Sequence, residues 1–86
     1  MRKCTILKGW TVIKWGDGSG HLVDDRGQKR GSYDAATGEI DTGKGYQFFG
    51  RVSEETLINK MERIVAVEEG IIPFSALASF HKEIGM

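Results

Sequence analysis

At 86 residues, 40% apolar and 28% charged, the chain has the composition of one ordinary globular domain with room for a modest core. Twelve Lys/Arg balance twelve Asp/Glu, which argues against a protein held to phosphate by bulk charge. No run nears the ~20 apolar residues of a membrane span, and Lys8 and Lys14 break the apolar stretch behind the basic start, so a soluble cytoplasmic chain without a signal peptide is expected.

The first half reads as strands. TILKGWTVIKW is rich in β-branched and aromatic residues and ends at the turn GDGSG. HLVD makes a second strand, closed by Asp25-Arg26-Gly27. Lys29 to Tyr33 makes a third, ATGE a turn before the short segment Ile40-Asp41-Thr42, and Tyr46 to Val52 the last strand. Ten of the 12 glycines fall between residues 9 and 50. Turns so close together, with no helical stretch between them, predict an antiparallel meander or small, partly curled barrel of about four or five strands.

The second half reads as helices. Ser53 is a good N-cap with Glu54 and Glu55 in the first turn, where the helix dipole favours them. Leu57, Ile58, Met61, Ile64 and Val65 recur at helical spacing until Gly70 stops the run. Pro73 suits the first position of a second helix, with Phe74, Leu77, Phe80 and Ile84 on its buried side and His81 at its edge. The predicted class is α+β, one domain over 1–86, β-rich over 1–52 and helical over 53–86, with both helices on one face of the sheet. Charge divides at the same boundary. Residues 1–52 hold nine Lys/Arg against six Asp/Glu, and residues 53–86 hold three against six.

Several short patterns suggest chemistry and stop short of it. GEIDTGKG (38–45) follows the phosphate loop G-x-x-x-x-G-K-[ST] until Gly45 takes the place of the metal-holding hydroxyl, and no helix start follows. It is expected to be a turn presenting Lys44. DGSGHLVDD has the oxygens of a calcium loop, but Leu22 and Gln28 occupy its sixth and twelfth positions, so a hairpin turn is expected. His21, Asp24 and Asp25 could be assembled into an acid–base group, yet no spacing marks a nucleophile and its base. Cys4 lacks a partner for a disulfide and fits a reducing compartment. No cofactor, metal site or catalysis is expected.

The candidate surface comes from strand alternation. In 6–15 one set is Leu7, Gly9, Thr11, Ile13 and Trp15, expected to be buried; the other holds Lys8, Trp10, Val12 and Lys14. In 46–52, Tyr46, Phe48 and Val52 form the expected buried set and leave Phe49 beside Gln47 and Arg51. Trp10 and Phe49 would then stand among Lys8, Lys14, Lys44 and Arg51 on an open face, an arrangement that stacks bases and attracts phosphates. A bulge at Gly9 or Gly50 would reverse the register, and large aromatics in a small domain are usually core, so core packing is the weightier expectation for both and the open face the alternative.

KGYQFFG resembles the aromatic strand motif of RNA-recognition and cold-shock domains through Lys44, Gly45, Tyr46 and Phe48, with Gln47 in place of a small residue. TVIKW and FSAL are similar to cold-shock segments, at longer spacing. This local resemblance implies a base-stacking strand and identifies no family for the whole chain.

Glu62, Glu68 and Glu69 form a secondary acidic patch. The last two lie at the helix C-terminus, where the dipole disfavours them; simple solvation is the expectation, with Arg26, Lys29 or Arg30 from the sheet, or a basic partner, as the alternatives. The functional expectation is a protein–protein interaction module, an accessory or inhibitory factor. Single-stranded nucleic-acid binding is the alternative, membranes are excluded, and self-association is left open.

Overall fold

A computed structural model describes residues 2–73 of the chain. Six strands follow one another as β1 (Arg2–Lys3), β2 (Thr11–Lys14), β3 (Ser19–Val23), β4 (Lys29–Asp34), β5 (Glu39–Asp41) and β6 (Tyr46–Phe48), and one helix, α1 (Glu54–Glu68), comes after them. Every strand pairs antiparallel with the next, so spatial order equals chain order. The α+β class and the antiparallel meander are therefore present. The barrel is not: β1 and β6 end an open sheet. The expected second helix, with Phe74, Leu77, Phe80, His81 and Ile84, lies outside the described residues.

Alternation sets the two faces. The cross-strand partners Val12↔Leu22, Leu22↔Gly31, Gly20↔Tyr33, Tyr33↔Ile40 and Ile40↔Gln47 share one face. That face meets α1: Leu7, Val12, Leu22, Tyr33 and Ile40 pack with Leu57, Ile58, Met61, Ile64, Val65 and Ala66 in one buried cluster. One glycine makes room for it: a Cβ on Gly20 would stand 2.9 Å from a Tyr33 ring carbon.

The helix starts as its sequence demands. Ser53 accepts a hydrogen bond from the Thr56 N–H at 3.1 Å, and Gly70, at φ +75°, turns the chain after the last turn. The Tyr33 hydroxyl donates to Glu54 at 2.6 Å, fixing the helix start to the middle of the sheet.

At the other end a bulge does the same work. Leu22 faces Gly31 and Val23 faces Lys29, so Arg30 is the extra residue of β4. Its guanidinium reaches Asp24 at 3.2 Å and Glu69 at 2.6 Å. Asp24 also accepts the N–H groups of Arg26 and Gln28, both at 2.9 Å. These bonds, led by the one from Gln28, hold its carboxyl below the usual range. Arg30 thus supplies the cation that Glu69 needs at the helix C-terminus, and the Thr42 hydroxyl donates to Glu68 at 2.7 Å.

Candidate binding face

Both aromatics singled out by alternation lie on the covered side. Trp10 and Phe49 pack against the core cluster. Each carries a cation on its ring, from within the fold: the Arg30 guanidinium is 4.9 Å from the Trp10 centroid, and the Lys60 ammonium is 4.2 Å from that of Phe49. The expected faces are reversed. Val12 is fully buried, whereas Trp15, Tyr46 and Phe48, assigned to the interior, are 50%, 60% and 64% exposed.

The reason is local. Trp10 N–H donates to the Leu7 carbonyl at 3.1 Å and Gly9 has φ +85°, so residues 5–9 form a turn. Leu7 is buried from that turn and says nothing about the parity of β2.

The remaining patch members are scattered. Lys8 is exposed in the β1–β2 turn, and Arg51 is exposed between β6 and α1. Lys14, also exposed, lies 4.0 Å from Glu54. Lys44 is exposed in the β5–β6 turn, beside a groove of about 440 Å³ also lined by Lys29, Arg30 and Asp41. Its loop is a hairpin turn, with the Thr42 N–H donating to the Gly45 carbonyl at 3.0 Å and the Gly43 N–H to Asp41 at 3.0 Å.

The acidic patch dissolves as well. Glu62 is 2% exposed, while Glu68 and Glu69 are engaged by Thr42 and Arg30. Loss of hydration raises the Glu62 carboxyl above its ordinary value, and its Oε1 atom has no hydrogen-bond partner. Burial first, then the charge and hydrogen bond of Glu62, push the Cys4 thiol up to about 12.

What the structure does gather is on the uncovered face of the sheet. Register places Ile13, His21, Ser32, Asp41 and Tyr46 in one row across it. Ser19, Asp34, Glu39 and Phe48 make the next row. Each row ends on an aromatic of β6, with a carboxylate of β5 directly beside it. A hollow of about 160 Å³ lies between Ser32, Asp34, Glu39, Asp41 and Tyr46. The Tyr46 phenol is held above its ordinary value by loss of hydration, then by its hydrogen bond to Glu39 and the charges of Glu39 and Asp41. At the far end Trp15 meets His21 edge to face, with ring centroids 5.2 Å apart.

His21 therefore belongs to the open face, and Asp24 is tied up in its own turn and by Arg30. The imagined acid–base group does not assemble. Asp17 accepts from the Ser19 hydroxyl at 2.6 Å and from its N–H at 3.0 Å, as in an ordinary turn. Among the described residues no group of three or more His, Cys, Asp or Glu could hold a metal ion, and no helix is long and apolar enough to cross a membrane.

The exposed aromatics were within reach of sequence reasoning. An inward Ile40, paired with Gln47 across the hairpin turn, forces Tyr46 and Phe48 outward. No family model, curated protein or solved structure matches the chain.

Proposed function

We propose that this chain is a non-catalytic protein-interaction module of the cytoplasm, an accessory or inhibitory factor, and that it meets its partner with the uncovered sheet face. One observation carries this reading: Tyr46 and Phe48 are more than half exposed, side by side on β6, each next to a carboxylate of β5. Exposed aromatics are the usual anchors of protein interfaces. Asp34, Glu39 and Asp41 beside them give the face a negative sign, which favours a partner that presents Lys or Arg. The same carboxylates repel phosphate, so the nucleic-acid alternative draws no support from this face. The single free cysteine, Cys4, agrees with a reducing compartment.

The test is a pull-down from the native cytoplasm, divided into nuclease-treated and untreated halves, with the wild-type chain and Phe48→Ala as baits. The expected result is an identified protein partner retained after nuclease and lost with Phe48→Ala, a loss of ~2 kcal/mol or more for an aromatic anchor. Capture that disappears with nuclease would overturn the reading in favour of nucleic acid.

A further inference from the structure

The hydrogen-bond pattern at β6 gives the open face a docking edge. In an antiparallel ladder the N–H and C=O of one residue turn to the same neighbour, and successive residues alternate. The Thr42 N–H bonds to the Gly45 carbonyl at 3.0 Å and the Phe49 N–H to the Gly38 carbonyl at 2.8 Å. These bonds bracket the pair Ile40↔Gln47. Gly45, Gln47 and Phe49 therefore face β5, and Tyr46 and Phe48 turn their N–H and C=O groups away from the sheet. No strand of the described residues lies beyond β6. The two residues with outward backbone groups are also the two exposed aromatics.

From this coincidence we infer that β6 takes up an extended segment of a protein partner as a seventh strand, a segment with Lys or Arg at alternate positions. The inference rests on the reading of the uncovered face given above. Two N–H and two C=O groups await such a strand, and its side chains on the open face would stand opposite Tyr46 and Phe48. A lysine or arginine there crosses an aromatic ring, and its charged head is directed towards Asp41 or Glu39 one strand further in. An aliphatic side chain would cover the ring and leave the carboxylate unanswered; an acidic one would be repelled. Alternate basic positions follow from the period of the strand.

The experiment uses the full chain and two synthetic seven-residue peptides, one alternating Lys and Val, the other Glu and Val. Affinity is measured by calorimetry for the wild type, Phe48→Ala and Phe48→Pro, and amide exchange by NMR for the wild type with and without peptide. The Lys–Val peptide should bind the wild type about tenfold or more tighter than the Glu–Val peptide, the equivalent of one charge-assisted contact. Phe48→Ala removes the ring. Phe48→Pro also removes the outward N–H, at an edge position where proline is tolerated, and should weaken binding about tenfold beyond Phe48→Ala, one hydrogen bond's worth. The Tyr46 and Phe48 amides should gain protection on binding, while that of Gln47 is protected throughout.

Equal affinities for the two variants, with both amides unprotected, would overturn strand addition and leave the face as the contact surface. Failure of the Lys–Val peptide to out-compete the Glu–Val peptide would overturn both. A wild-type dimer in sedimentation, broken by Phe48→Pro, would replace the proposed partner strand by a second copy. If Phe48→Pro does not fold, the wild-type exchange data decide alone.

Discussion

The two edges of the sheet are finished in opposite ways. β1 is two residues long, and Arg2 bonds to Glu55 and Asn59 of α1, at 3.1 Å to the latter. The edge is short, charged and tied to the helix, as natural sheets protect an edge from pairing. β6 is also short, yet it presents Tyr46 and Phe48 in place of charged guards. The proposed strand addition uses β6, the edge left without such a guard.

The largest expected effect tests what the two edges share. Both depend on the core under α1, so Met61→Ala should cost about 2–4 kcal/mol in denaturant unfolding, the usual range for such truncations. A cost below ~0.5 kcal/mol, the size of a surface change, would separate the helix from the stability of the sheet.

Trp10→Ala against Phe48→Ala sharpens the contrast between covered and uncovered aromatics. Trp10 packs on the core beneath Arg30, so its loss should cost about 2–3 kcal/mol, somewhat less than a fully buried aromatic. Phe48→Ala should shift stability by under ~0.5 kcal/mol. Similar thermal melts for the two variants would break the assignment of faces.

Next comes the covered side near β1. Glu62 is buried with one oxygen unpartnered, and its carboxyl is raised by loss of hydration. A raised acid favours the folded state while protonated and loses that advantage as pH climbs from its unfolded value through its folded one. Glu62→Gln should therefore stabilise the chain by about 1–2 kcal/mol at pH 7, because the amide escapes the penalty of carrying a charge in a buried place. The gain should fade towards pH 4. Urea titrations at both pH values measure it, and a gain that persists unchanged in acid would exclude ionisation as its cause.

The smallest effect belongs to the guarded edge. Arg2→Ala removes a partly exposed ion pair and should cost ~0.2–1 kcal/mol, less in high salt. Its second readout is solubility: slow self-association of the variant would show that Arg2 blocks β1 from pairing.

Much of this architecture was legible. The Ser53 cap, the acidic first turn and the stripe Leu57, Ile58, Met61, Ile64 and Val65 are local signals, and α1 follows them. Glu69 at the wrong end of the dipole raised a sheet cation as one alternative to plain solvation, and Arg30 provides it. The alternation in β2 and β6 was also sound; its inward sense was not. Each face of those strands carries an aromatic, and sequence period alone cannot say which side a helix will cover. Leu7 belongs to the set expected inside, yet its burial comes from a turn that ends before β2 begins. Lys60 and Glu62 were unreadable for a different reason. Their burial, with Lys60 stacked on Phe49 and Glu62 against Cys4, arises from contacts distant in sequence.

The thiol beside Glu62 makes this chain convenient for chemical labelling. With its ionisation pushed up to about 12, Cys4 offers almost no thiolate at neutral pH, and the thiolate is the form that alkylating reagents attack. A single cysteine introduced in the exposed β5–β6 turn, as in Lys44→Cys, would stand beside β6 and leave Tyr46 and Phe48 in place. Maleimide dyes and spin labels would then find one reactive thiol in a molecule that contains two. The native cysteine need not be removed, and the core around Glu62 can be left undisturbed while the β6 edge is watched.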